Sequence, residues 1–372
     1  MKVITKLVPA VLALCLCVGI GAAASSLEAS LRLIPAETEE LMLLFTDWDR
    51  IRAALALDDV TSASPFEERL ELAMSTSQTH AAGSAFALHH LVDHAANWGW
   101  DTTDLAWEAY VITGRLPPFY LLRLRDHVSF DTIATHFVEK GFVQTESHGV
   151  TVFHHDIVPG EDWLRTTEIS ILNTAYLPGE RLLVLSSFPG GVEVVIRTLE
   201  GELASLQGDP YAVAAVTHLG EPFAAILLAG LGECLRFPPN PVLDPLGTLP
   251  SQGTADAIRA AVEESDLLVP YRVFAVGYRE VDGIPVGSIV FEYDAVELAE
   301  LDLAPRRLLA EEGRSSSFDA PIAESYFSVL SAGVEDRAIV FAVAPVNDQP
   351  MRLFRMVHYR DAPFAGCSVP RD

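Results

Sequence analysis

The sequence predicts an α+β protein with mixed, mostly antiparallel sheets, helices packed on one face of them, and possible tandem strand–helix–hairpin modules. Short apolar runs of strand length recur in pairs that turn residues separate, as in hairpins. Segments with helical apolar spacing and capping residues lie between these pairs. In one run, the apolar residues Tyr120, Leu122 and Leu124 alternate with positions that include Arg123 and Arg125. This alternation is typical of a sheet with one partly solvated face.

The N-terminus has the three parts of a secretory signal peptide. Lys2 and Lys6 form a positive segment, residues 7–20 are apolar, and small residues lead to the expected cleavage point after Ala24. The apolar run is shorter than the roughly 20 residues that a membrane span needs. We therefore expect an extracytoplasmic protein, secreted, periplasmic or in the cell envelope. An uncleaved N-terminal membrane anchor is the alternative.

The composition favours a folded, acidic protein and excludes two classes of partner. Half of the residues are hydrophobic and 20% are charged, which suffices for a packed core. There are 51 acidic and 25 basic residues, and the net charge is −26. Such a charge is unfavourable for binding nucleic-acid phosphates or an anionic membrane surface. We expect no nucleic-acid partner and no transmembrane span after signal cleavage, and an envelope or extracellular partner of unknown identity.

Two cysteines remain after the expected removal of the signal peptide, Cys234 and Cys367. Exported proteins fold in an oxidising compartment, where an even number of cysteines favours pairing. Neither residue has a CxxC partner or a cationic neighbour that would stabilise a thiolate. The sequence therefore predicts a structural disulfide between Cys234 and Cys367, and two free buried cysteines are the alternative.

Turn and cap signals predict the elements of the N-terminal part in order. The predicted strands are 40–45, 105–112, 119–125, 142–145, 150–154, 168–175, 181–187 and 223–228. The predicted helices follow Asp47, begin at Ser64-Pro65, cover 81–97 and 129–140, and begin again at Pro189 and at Asp209-Pro210. Asp47 is suited to the N-cap position, and each proline is suited to the first turn of its helix.

A similar order of elements recurs in the C-terminal part. It consists of strand 288–293, helix 295–312, a hairpin of 326–332 with 338–343, and helix 348–359. The long helix is acidic, with Arg306 and Arg307 at its middle, and is predicted to present a solvated face. Residues 237–254 are rich in proline and glycine and form a predicted linker. The predicted organisation is a signal peptide at 1–24, an α+β domain at 25–236, the linker, and an α+β module at 255–372.

Three short segments carry a resemblance to a class of known proteins. They are Ile34-Pro35-Ala36-Glu37-Thr38, His148-Gly149-Val150-Thr151-Val152-Phe153 and Ser205-Leu206-Gln207-Gly208-Asp209-Pro210. In these segments the chain resembles uncharacterised exported bacterial proteins, of the domain-of-unknown-function type, built from repeated strand–helix–hairpin modules. The resemblance implies this architecture and implies no chemistry.

The candidate for metal chemistry is the histidine-rich predicted helix. His90 and His94 lie four residues apart, hence on one helix face, with Asp93 beside them. This spacing suits two ligands of one zinc ion. The HExxH motif that would place a general base between the histidines is absent, and a third ligand must come from a distance. The alternative is a histidine-rich surface, or histidines hydrogen-bonded beside Trp98 and Trp100.

No motif assigns a catalytic residue or a cofactor. The sequence has no GxSxG elbow, no cysteine next to a histidine, and no glycine-rich phosphate loop. We therefore expect no cofactor. The sequence favours a non-enzymatic scaffold or binding module of the cell envelope. The alternative is a metal-dependent hydrolase that uses His90 and His94.

The predicted disulfide has a measurable consequence. Because the bridge would close a loop of about 130 residues, its reduction is expected to lower the free energy of unfolding by up to about 5 kcal/mol. Mass spectrometry of the unreduced exported protein should find a chain that begins at Ser25 and has no alkylatable thiol. The variant Cys367→Ser should reproduce most of the loss. Two alkylatable thiols in the denatured, unreduced protein would contradict the pairing.

Overall fold

A computed structural model describes the chain in seven segments. They are residues 25–36, 40–77, 93–156, 168–229, 268–281, 283–315 and 317–367. The helices are α1 Ser26–Ser30, α2 Trp48–Ala54, α3 Phe66–Ser77, α4 His94–Trp98, α5 Phe130–Glu139, α6 Pro189–Leu199, α7 Pro210–Leu219, α8 Val296–Glu312, α9 Ile322–Ser325 and α10 Met351–His358. None of the helices within these segments is both long and apolar enough to cross a membrane.

Twelve strands form one sheet in which every neighbouring pair is antiparallel. They are β1 Leu41–Asp47, β2 Leu105–Thr113, β3 Phe119–Leu124, β4 Val143–Ser147, β5 Val150–His154, β6 Asn173–Leu177, β7 Leu182–Ser186, β8 Ala224–Ala229, β9 Val273–Val281, β10 Ile284–Glu292, β13 Phe327–Glu335 and β14 Ala338–Pro345. Their order is β13-β14-β10-β9-β8-β1-β2-β3-β7-β6-β5-β4. Strands β11 Arg314–Ser315 and β12 Ala320–Pro321 pair separately. The predicted α+β class and the predominance of antiparallel pairing are confirmed.

The sheet is covered by helices on both faces, whereas the sequence predicted one covered face. All six residues of β8 are buried: Ala225 and Leu227 face one core, and Ile226 and Leu228 face another. We call the side of Leu227 the front face and the side of Ile226 the back face. Because central strands such as β8 are apolar on both sides, both sides must be removed from water.

Each face has its own set of helices. On the front face, α1, α6 and α7 contribute buried residues to a core that extends under both halves of the sheet. On the back face, α8 and α10 cover the strands near β10, and α2, α4 and α5 cover those near β3. The protein therefore has three layers, with the sheet in the middle.

The sheet consists of two halves with the same order of elements. Strands β1, β2 and β3 form a meander, α5 follows, and the β6–β7 hairpin returns so that β7 pairs with β3. Strands β8, β9 and β10 form a second meander, α8 follows, and the β13–β14 hairpin returns so that β14 pairs with β10. The first half has one additional hairpin, β4–β5. The tandem modules predicted from the sequence thus begin at β3 and β10, which have equivalent places in the two halves.

One sheet crosses the predicted domain boundary. Strand β8, in the predicted domain 25–236, pairs with β9, in the predicted module 255–372, with Ile226 opposite Val276. The predicted linker 237–254 lies outside the described residues. Strand β9 was not predicted, and β10 begins at Ile284 instead of residue 288. The hairpin signal Asp282-Gly283 in the sequence would have indicated both.

The back-face core near β10 contains a charged residue that the sequence did not predict to be buried. Arg306 of α8 is fully buried with Asp302, to which its Nε donates. Its Nη1 donates to the carbonyl oxygens of Phe364 and Gly366 at 2.6 and 3.0 Å, and its Nη2 to that of Val269 at 2.7 Å. The guanidinium therefore connects α8 to the segment before β9 and to the segment after α10. The sequence predicted that Arg306 and its neighbour Arg307 would both be exposed, and this is confirmed for Arg307 alone.

Removal of this guanidinium should be strongly destabilising. Arg306→Ala leaves Asp302 buried and without its charged partner, so we expect a loss of about 3–5 kcal/mol in the free energy of unfolding. The control is Arg307→Ala, because Arg307 forms an exposed pair with Glu311 at 2.8 Å. That change should cost less than about 1 kcal/mol. Urea denaturation of both variants checks the difference, and equal losses would contradict it.

Candidate functional site

A cavity of about 630 Å³ lies beside α7, at the end of β10. Its lining comes from four elements: α7, the end of β10, the start of α8 and the β13–β14 turn. The residues are Ala214, His218, Glu292, Val296, Asp336 and Arg337. We call this cavity the Glu292 pocket.

Helix α7 forms one wall of the Glu292 pocket because it is amphipathic. Its N-cap is Asp209, whose side chain accepts hydrogen bonds from the backbone N–H groups of Tyr211 and Ala212. Ala215 and Val216 are buried in the front-face core, and the helix packs across β9 and β10. The pocket residues Ala214 and His218 are four residues apart and share a helix face.

Glu292 is the buried acid of the pocket. It lies two residues beyond Val290, hence on the front face, and its side chain is 0% exposed. The nearest cationic atoms are Arg337 Nε, 3.4 Å from Oε2, and His218 Nε2, 3.6 Å from Oε1. Neither carboxylate oxygen accepts a hydrogen bond from any residue that the structure describes. Burial raises the pKa of Glu292 to about 7, although the nearby Arg337 opposes this shift.

Two contacts of the Arg337 guanidinium explain why its Nε atom stays 3.4 Å from Glu292 Oε2. Arg337 Nη2 donates to the carbonyl oxygen of Pro210 at 2.8 Å. The Arg337 guanidinium also lies over the Tyr211 ring, 4.2 Å from its centroid. These two contacts hold the guanidinium at the start of α7. Arg337 therefore remains 3.4 Å from Glu292, as an ion pair that balances part of the charge of this carboxylate.

Further charged residues lie next to the residues that line the pocket. The Tyr211 hydroxyl donates to Asp294 at 2.7 Å, and Arg272 Nε donates to the same oxygen at 2.8 Å. The bond from Arg272, followed by that from Tyr211, lowers the pKa of Asp294. Glu335 lies near another lining residue, with its carboxylate 3.5 Å from His218 Nδ1. These acids are exposed, in contrast to Glu292.

A second buried acid, Glu108 of β2, provides a comparison. Burial raises its pKa to about 8, but its carboxyl group has a hydrogen bond with the Trp48 side chain. The partner of Glu108 is thus an uncharged side chain. Glu292 differs because its neighbours, Arg337 at 3.4 Å and His218 at 3.6 Å, can carry charge and because it lines a cavity.

The residues of the predicted metal site are not brought together in the described part of the chain. His90 lies outside the described residues, and so do Ala24 and Cys234. Asp93 is exposed, whereas His94 is buried with its ring centroid 4.5 Å from that of Trp100. Cys367 follows the last helical turn and packs against the back-face core near β10. The metal site and the disulfide both stay predictions.

One surface cluster has the residue types of a metal site. His148, Glu200 and Glu202 are exposed and place their ligand atoms within 4.8 Å of one another. His148 Nδ1 is 2.7 Å from Glu200, and Glu193 is also near the ring. Ion pairing of one histidine with several exposed acids accounts for this grouping.

The sequence analysis did not identify the pocket residues. His218, Glu292 and Arg337 belong to α7, β10 and the β13–β14 turn, which are far apart along the chain. One signal was present: Glu292 is a charged residue at the end of the apolar run Ile289-Val290-Phe291. A charge in a buried strand requires a partner or a function.

Comparisons with known proteins identify no family. No protein-family model matches the chain, and no curated protein matches it. Among solved structures, crystal form I of TP0453 aligns with a TM-score of 0.36 and 8% sequence identity. The alignment covers 89% of this chain and 97% of that one. A similarity at this level carries no argument about fold or function.

The raised pKa of Glu292 predicts how stability depends on pH. The ordinary pKa of a glutamate is 4.5, and that of Glu292 in the folded protein is about 7. Between these values the folded state binds more protons, so its stability falls as the pH rises from about 4.5 to about 7. In Glu292→Gln the contribution of this residue to the decline in the free energy of unfolding, roughly 3 kcal/mol at most, should be absent. Urea denaturation at several pH values measures it.

The control for this prediction is Glu335→Gln, which alters an exposed acid next to the same pocket. This variant should retain the decline of the wild type. Glu108 contributes equally to all three proteins, so the difference between Glu292→Gln and wild type isolates Glu292. If the free energy of unfolding changed equally with pH in wild type and Glu292→Gln, the raised pKa of Glu292 would be contradicted.

Proposed function

We propose that this chain is an exported, extracytoplasmic binding protein of the cell envelope, without enzymatic activity, and that it binds a small molecule in the Glu292 pocket. The signal-like N-terminus and the two remaining cysteines support export. The observation that carries the binding role is the buried Glu292 carboxylate, which lines a cavity with its two oxygens in ion pairs at 3.4 and 3.6 Å and in no shorter hydrogen bond to a described residue.

The pocket has the size and the chemistry of a binding site. Its volume is within the range of about 300–1,000 Å³ that is usual for small-molecule sites. It combines apolar contacts from Ala214 and Val296 with a few polar groups. Since a buried polar group without a partner is costly, a ligand that supplies one gains affinity.

The residue types in the pocket favour binding over catalysis. The six lining residues that the structure describes include no serine, threonine or cysteine to act as a nucleophile. The alternative function, a metal-dependent hydrolase at His90 and His94, has less support, because His94 is buried beside Trp100 and Asp93 is exposed.

A variant that fills the pocket tests the proposal without knowledge of the ligand. Ala214→Trp should occupy the cavity and abolish binding of any small molecule there. The control is Thr217→Trp, which adds the same side chain to the exposed side of α7. We expect at least one compound in a screen of small cations, anions and neutral molecules to raise the melting temperature of wild type and Thr217→Trp, but not of Ala214→Trp. Absence of any such compound would contradict a binding role for the pocket.

A further inference from the structure

We infer that the Glu292 pocket takes a small organic cation, an amine whose ammonium group donates hydrogen bonds to the Glu292 carboxylate while its apolar part contacts Ala214 and Val296. This inference rests on the proposed binding function and specifies the chemical class of the ligand.

The balance of donors and acceptors supports an amine. Glu292 contributes two acceptor oxygens, and neither receives a hydrogen bond from a described residue. Arg337 Nη2 is engaged with Pro210, and Arg337 Nε lies 3.4 Å from the carboxylate. His218 Nε2 is still farther away, at 3.6 Å. Both oxygens of Glu292 therefore have acceptor capacity left for a ligand, and charged donors form the stronger hydrogen bonds to a carboxylate.

The charges around the pocket also favour a cation. Glu292 and Asp336 line it, Glu335 and Asp294 lie beside it, and the permanent cations are Arg337 in the lining and Arg272, which is paired with Asp294. The whole chain carries a net charge of −26. The field of such a protein attracts cations and repels anions. An anionic ligand in the pocket would lie near the carboxylate of Asp336 as well as that of Glu292.

In the other half of the sheet, the position equivalent to Glu292 has a charged residue that pairs with another side chain of the same protein. Glu292 lies opposite Ala338, and Arg123 of β3 lies opposite Leu182 in the corresponding register. Arg123 is 3.6 Å from Glu180, which also pairs with Arg32 from the turn after α1. The first half thus places partly exposed charge pairs where the second half has a buried acid and a cavity. The two halves therefore differ in the burial and the charge of the residues at this equivalent position.

The positions of the lining carboxylates and the apolar wall favour an organic cation over a metal ion. A bound metal ion requires several ligands that converge within a short distance of one point. Of the two carboxylates that line the pocket, Glu292 is buried on β10, and Asp336 is exposed on the β13–β14 turn. The apolar wall formed by Ala214 and Val296 suits a hydrocarbon chain next to the ammonium group.

Three probes that differ in charge test the inference. Hexylamine, hexanol and hexanoate share a hydrocarbon chain, and isothermal titration calorimetry can measure each against the full-length protein. We expect hexylamine to bind at least tenfold more tightly than the other two. Glu292→Gln should weaken hexylamine binding by about tenfold to a hundredfold, since it removes a charge-assisted hydrogen bond. Glu146→Gln removes one exposed acid at the far edge of the sheet and should have no such effect.

Each contrary outcome has a separate meaning. If hexanoate or hexanol binds more tightly than hexylamine, and Ala214→Trp abolishes that binding, the cation assignment is wrong and the binding function stands. Calcium binding that is lost in Glu292→Gln, without hexylamine binding, overturns the amine in favour of a metal ion. Hexylamine binding that Glu292→Gln leaves unchanged overturns the role of Glu292. If Ala214→Trp changes the binding of no compound in the charge-diverse screen, both the inference and the proposed function fail.

Discussion

The pairing of β1 with β8 in the middle of the sheet is the contact on which the architecture depends. It joins the two halves, with Leu43 opposite Leu227 and Leu44 opposite Ile226. These residues are buried and alternate between the front-face and back-face cores. Because the central strands are apolar on both sides, helices must cover both faces. Helix α7 covers β9 and β10 on the front face, and this position brings His218 next to Glu292.

Buried charges in this protein fall into two kinds. Arg306 is surrounded by acceptors: it donates to Asp302 and to carbonyl oxygens of Val269, Phe364 and Gly366. A charge with such partners connects distant segments and stabilises the second half of the sheet. Glu292 is buried to the same extent but receives no hydrogen bond from a described residue. The number of partners, and not burial alone, distinguishes a structural charge from a candidate binding group.

The tandem organisation provides a physical basis for a specialised site. Arg181 and Arg337 each precede the second strand of the hairpin that completes their half of the sheet. Arg181 donates to the carbonyl oxygens of Arg125 and Val128 and thereby anchors the connection after β3. Arg337 is anchored to Pro210 and stacks on Tyr211, which keeps its Nε atom 3.4 Å from the neighbouring Glu292. The same fold position thus serves stability in one half and forms a pocket in the other.

Local sequence determined the α+β class, most of the hairpins and the starts of several helices. Asp47 and Asp209 cap helices as their residue types predict, because capping and turn formation involve neighbours within a few residues. The tertiary structure decided the two covered faces, the burial of Arg306 and the assembly of the pocket. His218, Glu292 and Arg337 lie on three separate elements, and only the strand order of the sheet brings them together. Contacts between such distant residues leave no local pattern in a single sequence, and therefore the pocket could not be predicted from it.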